Sequence, residues 1–226
     1  MNLNILRNSM FFYEMEDEWI LKALGCLDAF ERSYAKGSLL LDNEEIIKEI
    51  GILVSGSANI IVETFDGNRS ITEKLMPSDV YGESIICSGI QKSSSRIVAL
   101  ENCKVVKIHM ENIIHKNLAT CSFRGMIVEN LLRLSANRCI TLNKKMDILS
   151  HKGVRERVLL YLADEMDRCK NCEFSIHFSR NELAEYLRLD RSALSRELSR
   201  IKDDGIIDYE RSYFHILMPD KLNQLR

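Results

Sequence analysis

Along residues 178–210 the apolar positions fall at helical spacing twice in succession, then change to strand spacing. Leu183, Ala184 and Leu187 form the first stripe. Ser179 followed by Glu182 is a capping box that starts this helix, each side chain satisfying an orphan amide of the other. Arg188-Leu189-Asp190 breaks the pattern, and Asp190 is suited to cap a second helix. That helix is predicted from Arg191 to about Asp203, with Ala193, Leu194, Leu198 and Ile201 facing inward. Gly205 ends it as a left-handed residue. Two short strand patterns follow, Ile206 to Tyr209 and Tyr213 to Leu217, with Arg211 between them. Arg191, Ser192, Ser195, Arg196 and Arg200 remain outward on the second helix. An αα-hairpin with a solvated basic face would share this pattern. The short turn, the double capping and the strand pair favour a winged helix-turn-helix, whose second helix enters the DNA major groove.

Upstream, residues 11–30 carry Trp19, Ile20, Ala23, Leu24 and Leu27 in one helical stripe. From Phe30 to His109 the texture is short β-type runs: 38–41, 50–54, 59–62, 70–75, 96–100 and 104–108. Turn signals separate them, Asp66-Gly67 being a hairpin signal. Many short strands at this spacing predict a barrel, roll or sandwich. Residues 122–149 contain no proline and one early glycine, so a single long helix is predicted. Its apolar residues Phe123, Ile127, Leu131, Leu134, Thr141, Leu142 and Leu149 lie near a heptad seam. They imply a partner helix, with a long core helix inside one chain as the alternative. A further helix is predicted from Val154 to Asp167. The fold class is therefore α+β.

Composition adds limits. The chain has 226 residues and a net charge of −2, so DNA contact must come from a local basic patch rather than from overall charge. No stretch has the apolar length of a membrane span, and the N-terminus lacks a secretory signal's apolar run. Seven widely spaced cysteines do not suggest a disulfide framework, and a cytoplasmic location is expected. No Ser-His-Asp order, paired-carboxylate spacing or phosphate-cradling glycine loop points to an enzyme.

The order of parts resembles the Crp/Fnr family of bacterial transcription regulators. The resemblance rests on Lys36-Gly37, Ile52-Leu53-Val54-Ser55-Gly56, Tyr81-Gly82-Glu83-Ser84 and Arg191-Ser192-Ala193-Leu194-Ser195-Arg196, in that order. It implies a β-roll sensor domain over residues 1–114, a dimerisation helix over 115–150 and a winged helix-turn-helix over 151–226. It also implies a homodimer whose recognition helices read palindromic half-sites about one turn apart. Ser192 stands where many relatives carry Glu, which removes an acceptor suited to cytosine N4. Arg191, Ser195, Arg196 and Arg200 are expected at bases or phosphates. Ser179 and Arg180 are expected at phosphate from a helix N-terminus, and Arg211 at phosphate from the wing. RNA polymerase would be a further partner of an activator, but no residue pattern for that contact is legible.

In relatives that bind cyclic nucleotides, a Gly-Glu pair meets the ribose and an Arg-Ser pair clamps the phosphate. Gly82-Glu83 match, but Ser93-Ser94 stand at the clamp, and a serine does not replace a guanidinium fork. Arg96 could serve only by facing inward. Cyclic AMP is therefore not expected. An effector of another kind would lie among Gly82, Glu83, Ser84, Ser93 and Ser94, with Leu134, Asn137, Arg138 and Thr141 from the long helix. Polar residues such as Asn137 and Arg138 also serve simply to set helix register. An effector-independent regulator, with the roll used only for dimerisation, is the alternative. Cysteine spacing does not suit an iron–sulfur switch, Cys169-Lys170-Asn171-Cys172 reads as a solvated turn, and His109 and His115 as surface residues. None of these sensing chemistries is indicated.

Overall fold

The computed structural model describes residues 2–43, 45–63, 69–89, 92–93, 95–109, 111 and 123–224. Two compact units emerge: Met1–Asn68 with Thr72–Cys139, and Arg69–Ile71 with Ile140–Arg226. The hairpin signal at Asp66-Gly67, together with Ser94, His115 and Cys121, lies outside the described residues.

The first unit opens with α1 (Leu3–Arg7) and α2 (Asp17–Cys26). The strands are β1 (Phe30–Tyr34), β2 (Leu39–Leu41), β3 (Glu49–Ser55), β4 (Ala58–Glu63), β5 (Arg69–Leu75), β6 (Val80–Tyr81), β7 (Arg96–Ala99) and β8 (Cys103–His109). A short helix, α3 (Glu83–Cys87), follows β6. The strands form two sheets, ordered β1-β8-β3-β6 and β2-β7-β4-β5. Alternation along β3 explains how both faces are covered. Ile50, Ile52 and Val54 pack in a cluster with Leu6, Phe11, Phe12 and Ile20. Leu53 packs in another, with Leu41, Leu75, Tyr81, Ile97 and Val105. Gly51 is required here, because a Cβ would lie 2.2 Å from Cζ of Tyr81. Strand β1 escapes the pattern of short apolar runs because four of its five side chains are exposed.

The long helix, α4, runs Arg124–Ser150. Here the structure corrects the predicted seam. Phe123, Ile127 and Leu131 are buried in the same cluster as Ile50 and Val106, so this stripe covers the roll of its own chain. A second stripe is left exposed: Val128, Leu132, Leu142 and Met146, from 47 % to 70 % accessible. With Ser135 and Cys139 between them, these positions alternate in steps of four and three, the heptad spacing of a helix pair.

The second unit contains α5 (Val154–Cys169), β9 (Glu173–Ser175), α6 (Arg180–Leu187), α7 (Arg191–Asp203), β10 (Ile207–Glu210), β11 (Tyr213–Ile216) and α8 (Pro219–Asn223). Its core joins Leu160, Leu162, Leu183, Leu187, Leu194, Leu198, Ile207 and Phe214. The wing is a three-stranded antiparallel sheet, β10-β11-β9. Its third strand follows directly on the turn at Cys169-Cys172, where Lys170 takes a left-handed φ of 51° after the end of α5.

Candidate functional site

Helices α6 and α7 are held at a fixed angle by local chemistry. Ser179 Oγ accepts from the amide of Glu182 at 3.3 Å, and the Glu182 carboxylate accepts from the amide of Ser179 at 2.7 Å. The expected capping box is present. Arg188 turns the chain with a φ of 52°, a conformation few non-glycine residues adopt. Arg157 of α5 donates to the carbonyls of Leu187 and Arg188 at 3.2 and 3.3 Å, satisfying oxygens that the helix end leaves open. Asp190 occupies the N-cap of α7, but its side chain makes no capping hydrogen bond. That expectation is corrected: the Asp190 carboxylate accepts from none of the leading amides of α7. Gly205 follows with a φ of 68°, as expected.

On α7, Leu194, Leu198 and Ile201 are fully buried. Arg191, Ser192, Arg196 and Arg200 are exposed, and Ser195 is half-buried. Arg200 leans on Glu197 at 3.5 Å, a weak exposed pair. Arg191 and Arg196 make no ion pair among the described residues.

Sequence reasoning missed Glu197, which is buried at 8 % accessibility on the inward face. Arg155 of α5 holds it at 3.2 Å through Nη1 and reaches Asp204 at 2.5 Å through Nη2. One guanidinium thus ties both ends of the second half of α7 to α5. An acid inside an otherwise apolar stripe was the available signal.

Arg180 lies between α6 and the wing. Its guanidinium carbon sits 5.2 Å from the Tyr209 ring and 5.8 Å from the Phe214 ring. Nη2 donates to the carbonyl of Arg211 at 3.0 Å, whereas Nη1 is buried with no hydrogen-bond partner among the described residues. Burial lowers its pKa from the ordinary guanidinium value. Ser179, Arg180 and Arg211 share a cleft of about 370 Å³ with His177 and Ser212. Exposed Arg211 forms the wing turn at a φ of 54°.

In the roll, the expected pocket residues part company. Gly82 takes a φ of 88° before α3, and Glu83 behind it is fully buried. Ser84 is exposed, and so is Asn137 on α4. Ser93 is buried, but its hydroxyl donates to the carbonyl of Ser95 at 2.7 Å. Arg96 does not face inward; it pairs with Asp42 at 2.9 Å and Glu63 at 3.1 Å.

Glu83 and Arg138 do meet. Arg138 Nη1 contacts Glu83 Oε1 in a short ion pair. Nη2 donates to the carbonyl of Val80 at 3.1 Å and pairs with Glu73 at 3.2 Å. Burial pushes the Glu83 carboxyl up, although the guanidinium pulls it back.

Comparison with known proteins places these parts. The cyclic nucleotide-binding domain family matches residues 31–115, and the Crp-like helix-turn-helix domain family matches residues 156–225. The chain is 26 % identical to Electron transport regulator A of Shewanella oneidensis, over 84 % of this chain and 76 % of that one. It is 27 % identical to Transcriptional activator protein anr of Pseudomonas aeruginosa, over 82 % of this chain and 76 % of that one. Among solved structures it superposes on FixK2 of Bradyrhizobium japonicum with a TM-score of 0.68 at 22 % identity, covering 87 % of this chain and 96 % of that one.

Proposed function

Because the chain belongs to the Crp/Fnr family of transcription regulators and carries its helix-turn-helix DNA-binding domain, we propose that it is a homodimer that reads a palindromic operator. The exposed stripe Val128, Leu132, Leu142 and Met146 would pair with the same stripe of a second copy. Each α7 would then enter the major groove of one half-site.

The observation that carries this reading is the outward end of α7. Arg191 and Arg196 project from its first two turns with no ion pair among the described residues, so neither guanidinium must be released before it meets DNA. Arg196 is assigned to guanine O6 and N7, with Ser195 and Arg191 beside it. Ser192 replaces an acidic acceptor and alters the base read at that step. Ser179, Arg180 and Arg211 line one cleft and serve a backbone phosphate, with Arg200 a further backbone contact. Such work places the protein in the cytoplasm. We further infer that the roll gates DNA binding through a small molecule other than cyclic AMP, since the phosphate clamp is missing and Arg96 is engaged elsewhere.

Operator selection from a randomised duplex library, with purified protein at fixed moderate salt, tests the reading. A palindrome with half-sites about one turn apart is expected. Binding that is sequence-blind and lost on adding salt would overturn it, because phosphate contacts alone behave that way.

A further inference from the structure

We propose that the ligand subsite of the roll is built for a guanidinium, and that Arg138 of α4 is its resident occupant. The proposal rests on the reading of the roll as a sensor domain, and it names the ligand chemistry of that sensor.

The groups that Arg138 meets in this site are all acceptors. The Glu83 carboxylate is 0 % accessible, the Glu73 carboxylate stands on β5, and the Val80 carbonyl closes the third side. A single planar fork reaches all three, through Nη1 to Glu83 and through Nη2 to Val80 and Glu73. Carboxylates and carbonyls offer only lone pairs, so their complement is a donor with N–H bonds in two directions. A guanidinium has that shape, whereas an ammonium is a point charge without a plane. Glu83 Oε2 is buried with no hydrogen-bond partner among the described residues, leaving one more acceptor for an N–H donor. With two carboxyl groups around one guanidinium, the site holds no surplus positive charge for a cyclic phosphate. An effector acting here is therefore a donor-rich cation, such as a guanidinium or amidinium compound, that competes with Arg138 for Glu83. Displacing Arg138 breaks the ties it makes from α4 to Glu83 of α3 and to Glu73 of β5.

Arg138→Ala leaves a vacancy ringed by the same acceptors, so an added guanidinium can refill it. The probe is methylguanidinium, applied to full-length protein. The variant is expected to melt ~5 °C or more below the parent, because one partner of a buried pair is lost. Its operator affinity should fall about tenfold. Methylguanidinium at about 10 mM should restore much of the melting temperature, while sodium chloride of equal ionic strength and cyclic AMP should not. An Arg138→Ala protein that melts like the parent would overturn the proposal. So would rescue no better by methylguanidinium than by sodium chloride, or a parent stabilised by cyclic AMP. If Arg138→Ala is not recovered folded, Arg138→Lys keeps the charge without the fork. It should melt below the parent, and equality with the parent counts against the proposal. A parent that finds no operator sinks the regulator reading, yet the melting rescue still tests the subsite by itself.

Discussion

The two charged sites of this chain are built in opposite ways. On α7 the guanidinium groups of Arg191 and Arg196 face outward and make no ion pair among the described residues, and the scaffold beneath them is apolar: Leu194, Leu198, Ile201. In the roll the charges face inward and have already met, Arg138 against Glu83 and Glu73. A site that leaves its donors in solvent is ready for an external polyanion. A site that has neutralised its donors internally admits only what competes with them. The contrast predicts that substitutions on α7 change what the protein binds, while substitutions in the roll change how firmly it is held.

Arg196→Ala should show the largest effect on recognition. Loss of a bidentate guanine contact costs about 1–3 kcal/mol, roughly 5- to 150-fold in affinity for the selected operator. Fluorescence anisotropy with specific and scrambled duplexes measures it. Glu83→Gln in the same assay should leave the base preference unchanged, and a changed preference would break the comparison. Arg155→Ala comes next, since it strands Glu197 on the inward face of α7. With Arg155 more than a third exposed, solvent screening reduces the cost to about 1 kcal/mol of stability. Denaturant titration detects it, and pairing the change with Glu197→Leu should recover most of the loss. Ser192→Glu is subtler. It restores an acceptor for cytosine N4, so repeating the operator selection should move one base pair of each half-site by at most ~1 kcal/mol, with the other positions unmoved.

These two sites were not equally legible. The helix-turn-helix is written in contiguous residues: the Ser179–Glu182 box, the break at Arg188 and the stop at Gly205 are local signals that need no knowledge of the rest of the fold. Glu83 and Arg138 stand 55 positions apart, and only the packing of α4 against the roll brings them together. Periodicity identified α4 as a helix but merged two stripes into one seam: Phe123, Ile127 and Leu131 lie on the roll, whereas Leu142 belongs to the exposed stripe. Two stripes run side by side, one on the roll and one in solvent, and both satisfy helical spacing. Strand β1 was hidden because an exposed strand such as Phe30–Tyr34 carries no apolar alternation. Asp190 shows the converse limit: the residue is in its expected place, but its hydrogen bond is not made.

The smallest effect carries the comparison into pH. The exposed pair Lys202–Asp208 beside the wing holds the Asp208 carboxyl below its ordinary value, first through the Lys202 hydrogen bond. A depressed carboxyl contributes stability above its unfolded value and loses it as pH falls through the folded value. The melting difference between parent and Asp208→Asn should therefore be small and flat near neutrality, and shrink below about pH 4. Glu83 runs the other way. Burial raises its carboxyl, so its contribution is full below the unfolded value and declines as pH rises through the folded one. Relative to Glu83→Gln, the parent should lose melting temperature as pH rises above about 4.5, a range in which Asp208→Asn shows no slope. Melting curves of the three proteins across that range give the two signs side by side. Slopes of equal sign would mean that Glu83 is held by the attraction of Arg138 more strongly than it is penalised by burial, and that the inward site titrates like the outward one.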